Sequence, residues 1–133
     1  MHLYPMMFSD LIKEYQLTQN ELDILLFLAN NPIYDTAKDI VEVRHLTKSH
    51  VSVSVDDLVK RGLLERNYLN DNHKVIHLCL LPASMEIIEK GRQCQKHFLD
   101  LLFDGILKEE REKFATFLEQ LSFNARKAYK EGM

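Results

Sequence analysis

The amino-acid sequence predicts a mostly α-helical chain interrupted once by a small β-hairpin. Three observations predict it. Apolar residues recur at helical spacing over most of the chain. Threonines stand where such segments should begin, and a glycine or proline where they should end. Between residues 64 and 80 the apolar period shortens to 2. With 133 residues the chain is expected to form a single domain, 1–133, with its own core. A composition of 46% hydrophobic and 28% charged residues is an ordinary globular balance, so disorder is not expected. No apolar run approaches the roughly 18 residues that a membrane span needs.

The elements follow in order. A short opening helix is expected near Pro5 to Tyr15, carrying Met6, Met7, Leu11 and Ile12. Thr18-Gln19-Asn20-Glu21 has the form of a capping box, in which a hydroxyl and a carboxylate satisfy each other's backbone N–H groups. It launches a helix bearing Leu22, Leu25, Leu26, Leu28 and Ala29, which stops at Asn30-Asn31-Pro32. Thr36 starts a short helix with Ala37, Ile40 and Val41 on one face, and Arg44-His45-Leu46 makes a turn. Thr47 caps a further helix to Arg61, with Gly62 as its left-handed stop. Inside it Val51, Val55, Leu58 and Val59 form the buried stripe. The hairpin follows: Leu64, Arg66 and Tyr68 alternate with Glu65, Asn67 and Leu69, Asn70-Asp71-Asn72-His73 is the tip, and Ile76, Leu78 and Leu80 share a face. Pro82 ends it and suits the first turn of a helix from Ala83 to about Phe103. A last helix spans about Lys108 to Lys130.

The formal charge of −3 disfavours nucleic acid as a partner until its distribution is read. Residues 36–80 hold Lys38, Arg44, Lys48, Lys60, Arg61, Arg66 and Lys74 against Asp39, Glu42, Asp56, Asp57, Glu65 and Asp71, a net +1 within an acidic chain. His45, His50, His73 and His77 lie there too and gain charge near phosphates. Two short helices, a glycine and a two-stranded hairpin make a winged helix-turn-helix layout, in which the first helix holds the second so that its outward face lies in a major groove. That face carries Lys48, Ser49, His50, Ser52 and Val53, suited to phosphates and base edges.

From about Leu17 to Arg92 the sequence resembles the MarR family. The resemblance runs through Leu17-Thr18, Leu25, Asp39-Ile40-Val41-Glu42, Leu46-Thr47-Lys48-Ser49-His50-Val51-Ser52 and, most specifically, Leu58-Val59-Lys60-Arg61-Gly62-Leu63-Leu64-Glu65-Arg66. It implies a homodimeric transcriptional regulator of double-stranded DNA, with its DNA-binding part at about 18–81 and dimerisation helices at about 1–16 and 83–131. It implies Lys48, Ser49, His50 and Ser52 on the recognition helix, and Asn72, His73 and Lys74 at the wing. Lys38 and Arg66 complete the expected contact set, although Arg66 equally suits a salt bridge to an acidic neighbour. The operator is expected to be pseudo-palindromic, with half-sites about 34 Å apart. The family also implies a small aromatic or phenolic effector near the dimer junction, and a pocket between the winged domain and the dimer helices is expected, walled by the opening helix and the long helix from Ala83. Three departures matter. The wing has Asp71-Asn72-His73-Lys74 where the family usually has Asp-Arg-Arg, Val53 stands where many members have arginine, and Asp56 and Asp57 add negative charge farther along, Asp57 where arginine is often found. Weak, strongly salt-dependent binding is therefore expected, because arginine suits a narrow minor groove better than histidine or lysine. The other reading is a winged module that binds protein, or only dimerises, with little DNA affinity.

The remaining features read as structural. The last two helices are rich enough in Phe and Leu to leave an apolar patch on a monomer, which again points to a symmetric dimer. Cys94 and His97 have a metal-ligand spacing, but two ligands do not make a site, and both Cys79 and Cys94 are expected to pack. Two cysteines and an apolar start without a basic lead-in or small-residue cleavage site point to the cytoplasm. No phosphate loop, nucleophile elbow or paired-histidine helix is present, so neither an enzyme nor a cofactor is expected.

Overall fold

The structure, a computed structural model, describes residues 3–68 and 74–132. The chain divides into two compact units, Met1–Phe98 and Leu99–Met133.

The first unit opens with two short helices, α1 (Leu3–Met6) and α2 (Ser9–Tyr15), where one was expected. The break falls at Phe8, which is fully buried. A ring of that size is worth about 1.5–3 kcal/mol when removed from water, enough to set the local path of the chain. Ser9 Oγ donates to Met6 O across the break at 3.1 Å. Helix α2 ends on Gln16, which takes a left-handed conformation at φ 53°, and its carbonyl is used from elsewhere in the fold.

Helix α3 (Gln19–Asn30) starts with the expected capping box, Thr18 Oγ1 accepting from Glu21 N at 3.1 Å and Glu21 Oε1 from Thr18 N at 2.8 Å. It is the centre of the core: Leu22, Ile24, Leu25, Leu26, Phe27 and Leu28 are all buried. Residues buried at consecutive positions mean that the helix is covered on nearly all sides rather than along one stripe. Thr36 and Asp39 form a second reciprocal box at the start of α4 (Ala37–Arg44). His45, at φ 55°, turns the chain toward α5 (Lys48–Lys60), which Thr47 caps through His50 N. Gly62 then takes φ 74°, the left-handed stop that its position predicted.

Strands β1 (Leu64–Asn67) and β2 (His77–Leu80) pair antiparallel, Leu64 opposite Leu80 and Arg66 opposite Leu78. The hairpin root is anchored to the segment before α4. Thr36 bridges His77, Leu78 N donates to Asp35 O at 2.7 Å, and the Asp35 carboxylate meets His77 Nδ1 at 3.0 Å. A single tight turn over Pro82–Ser84 leads into α6 (Met85–Leu102). This helix crosses α3 closely: a β-carbon at Gly91 would lie 2.8 Å from Leu26 Cδ2. Arg92 reaches back to Asn30 Oδ1 and to Ala29 O, each at 3.1 Å, closing the end of α3. Helices α1 and α2 lie on α6 through Tyr4 edge-on to Phe98 and through a polar group of Glu14, Tyr15, Glu86 and Lys90.

The second unit holds the end of α6 and α7 (Lys108–Lys130). Phe103 meets Phe114 edge-on, and Arg111 lies over the Phe103 ring and 3.2 Å from Asp100. No residue of α7 is buried. Leu99, Ile106, Leu107, Phe114, Phe117 and Leu121 are all exposed. Among the described residues, no helix is long and apolar enough to cross a membrane.

Candidate nucleic-acid interface

Helix α5 separates its residues cleanly. Val51, Ser54, Val55 and Leu58 are buried against the core, while Lys48, Ser49, Ser52, Val53, Asp56 and Lys60 are exposed. Ser49, Val53, Asp56 and Lys60 follow i, i+4, i+7, i+11 along the outermost line, with Ser52 beside them. Lys48 and His50 flank the first turn. Thr47 satisfies the His50 N–H at 3.1 Å, and the other first-turn N–H groups carry the positive end of the helix.

Two cross-element contacts fix how α5 is held. Arg61, just past its end, donates from Nη1 to Gln16 O at 2.9 Å and from Nη2 to Tyr15 O. The guanidinium thus satisfies carbonyls that the end of α2 leaves open. Nearby, Glu21 is buried, with Oε2 lacking a hydrogen-bond partner. Burial pushes its carboxyl above the ordinary range, and the neighbouring Asp57 on α5 raises it further, against the lowering effect of the Thr18 bond.

The expected contact residues divide among several elements. Lys48, Ser49, His50, Ser52 and Val53 come together on α5, all exposed, Val53 at 69%. Lys38 stands apart on α4, 3.8 Å from Glu42. Arg66, half-buried on β1, donates to Asp56 of α5, the salt-bridge arrangement of its two readings. Lys74 is exposed at the return of the hairpin, and Asn72 and His73 lie outside the described residues. Sequence reasoning passed over Lys60, although its i+4 spacing from Asp56 places it on the same outward line. Asp56, read from the sequence only as negative charge farther along the helix, lies in the middle of that line and has Arg66 as its partner.

The two thiols differ. Cys94 is half-buried against the core, and burial, then the charge of Asp10, raises its thiol above the ordinary range. Cys79 is exposed opposite Glu65, which corrects the expectation that it packs: in a strand whose Leu78 faces the core, the next residue must face away. Among the described residues, no three His, Cys, Asp or Glu side chains come together as a metal site. A shallow cleft of about 410 Å³ lies between α2 and α6, bordered by Met7, Asp10, Glu14, Lys90, Cys94 and His97.

Two helices joined by a left-handed turn, the second with a buried apolar stripe and an open polar face, followed by a hairpin braced at its root, define a winged helix-turn-helix protein. Residues 15–74 match the model of the MarR family. Over those residues the chain is similar to MarR-family winged helices. No curated protein matches the sequence. Solved structures share the fold: one of MarR aligns with 95% of this chain and 85% of its own at a TM-score of 0.77 and 21% identity. A MarR-family transcriptional regulator from Silicibacter pomeroyi aligns over 91% and 81% at 0.74 and 20%. MepR of S. aureus in complex with DNA aligns over 86% and 82% at 0.62 and 18%.

Proposed function

We propose that this protein is a homodimeric transcriptional regulator that binds double-stranded DNA through the outward face of α5. The observation that carries the reading is that face itself. Lys48, Ser49, Ser52, Val53 and Lys60 are all exposed on a helix whose opposite stripe is locked in the core. The shared fold with MepR bound to DNA supports it. The first-turn N–H groups and Lys48 take a backbone phosphate, and Ser49, Ser52 and Val53 face the base edges. Lys38, His50, Lys74 and the wing tip at Asn72 and His73 supply flanking backbone contacts.

The exposed apolar side chains of the second unit support dimerisation, since so many on one short segment are unusual for a monomer. A two-fold pair then addresses a pseudo-palindromic operator in successive turns of the groove. The cleft between α2 and α6 is the place for a small aromatic effector, which acts by shifting the spacing of the two recognition helices. One observation favours a second reading, a protein-binding winged module: α5 carries no arginine, and Arg66 beside it is spent on Asp56.

Fluorescence anisotropy on duplex DNA, titrated with salt, separates the two. Under the DNA reading the protein is retained at low salt with a steep dependence on salt, and Lys48→Ala lowers the slope by about one phosphate's worth per protomer. Absence of retention even at low salt would overturn direct DNA binding by the free protein and leave the second reading, or a regulator that needs a bound ligand first.

A further inference from the structure

We infer that Val53 reads the 5-methyl group of thymine, and that this contact, rather than a hydrogen bond to guanine or adenine, sets the sequence preference of the α5 face. The inference rests on the DNA-binding reading above and deepens it.

Helix α5 lacks most of the side chains that read bases by hydrogen bonding. Direct readout with hydrogen bonds uses Arg or Lys on guanine, Asn or Gln on adenine, and Asp or Glu on cytosine. Helix α5, Lys-Ser-His-Val-Ser-Val-Ser-Val-Asp-Asp-Leu-Val-Lys, contains no Arg, Asn or Gln. Its acid on the outermost line, Asp56, is tied through Oδ1 to Arg66, and its negative charge is repelled by the phosphates that line the groove, which disfavours a contact to cytosine. Lys48 and His50 flank the first turn and Lys60 sits at the far end, positions that suit the phosphate strands bordering the groove. The serines at 49 and 52 donate or accept with any base and so discriminate little.

Val53 is what remains at the centre. It is β-branched and 69% exposed, on the outward line of a helix whose other valines at 51 and 55 are almost fully buried. A valine left in water at mid-helix costs helix propensity and gains no burial in the free protein. Of the groups on the floor of the major groove, one is apolar: the thymine methyl. Ser49 and Ser52 border Val53 and leave it room, because neither projects beyond it. The β-branched side chain is also held to a narrow set of rotamers by the helix, so its methyls are presented without further ordering cost. The contact is therefore a small apolar patch closing on a small apolar patch, with hydroxyls at its rim.

The experiment begins with selection from a duplex library randomised at its centre, using the wild-type protein at low salt. The selected motif is expected to fix thymine at one position in each half-site. Three duplexes are then compared by anisotropy: the selected one, one with deoxyuridine at that position, and one with 5-methylcytosine paired to guanine there. Loss of the methyl in deoxyuridine is expected to weaken wild-type binding about fourfold per half-site. The 5-methylcytosine duplex should bind more tightly than the same duplex with plain cytosine. In Val53→Ala the two methyl effects should fall to near unity and the selected duplex should bind more weakly, at about the level of wild type on the deoxyuridine duplex, while the salt slope, set by phosphate contacts, stays the same. If wild type and Val53→Ala lose the same factor with deoxyuridine, or if wild type loses none, the inference is overturned while DNA binding stands. If no duplex is retained by the wild type, the DNA reading itself fails and this inference with it.

Discussion

Replacing Asp56 by Asn should tighten DNA binding, and the size of the effect follows from the geometry of one ion pair. Asp56 stands on the outermost line of α5 between Val53 and Lys60, and its carboxylate holds the Arg66 guanidinium. Two changes therefore follow a single substitution. The acid that faces the phosphates becomes neutral, and a unit charge about 6 Å from a phosphate in water is worth about 0.7 kcal/mol, roughly threefold in affinity. The freed Arg66 gains access to a phosphate and adds about one released counterion per protomer, which steepens the dependence of log affinity on log salt by about 0.9 for each. The cost to the fold is small. Asp56 is about half-exposed, with its side chain at 52%, and Arg66 is at 29%, so the screened pair contributes at most about 1 kcal/mol. Anisotropy at several salt concentrations, with urea denaturation of both proteins alongside, measures all three quantities. An affinity for DNA that is unchanged or weaker, with an unchanged salt slope, would refute the placement of Asp56 at the interface and of Arg66 as its neutralising partner.

Three other outcomes are expected. Glu21→Gln should stabilise the protein near neutral pH. The buried carboxyl is raised above its ordinary range, so its contribution is intact at low pH and lost as pH rises through the raised value. Glutamine keeps the acceptor for Thr18 N without that loss, and the advantage of the variant in thermal melts should vanish on acidification toward pH 4. An advantage that instead grows in acid contradicts the sign. Gly91→Leu should cost at least about 1–3 kcal/mol in urea unfolding, because even a β-carbon there meets buried Leu26 at 2.8 Å; a neutral effect would mean that α3 and α6 separate freely. The double variant Phe117→Glu, Leu121→Glu should sediment as a monomer if the exposed apolar residues of α7 are dimer contacts, since both side chains are more than 60% exposed in the single chain. A dimer that persists would place the interface elsewhere.

Much of the fold was legible because its instructions are local. A threonine before an apolar run satisfies N–H groups two or three residues on, wherever the helix later packs, and so Thr18, Thr36 and Thr47 each marked a helix start. The same holds for Gly62 and for the alternation that put Leu64 and Leu78 in the core. The outward face of α5 was readable for the same reason, since burial of Val51, Val55 and Leu58 leaves only one side for Ser49, Ser52 and Val53. The break at Phe8 was not readable, because helical spacing continues across it and only the depth of the core pocket explains the bend.

What the sequence by itself determined, then, was the order of elements after the opening helix, most of their ends and the residues left on the outward face of α5. What only the tertiary structure decided was how the charges among them are spent. Arg66 meets an aspartate on another element, Arg61 closes carbonyls 45 and 46 residues away, and Glu21 loses its water beside Asp57. Periodicity and caps act within a few residues along the chain. Pairing between helices depends on crossing distance and angle, which no single segment encodes.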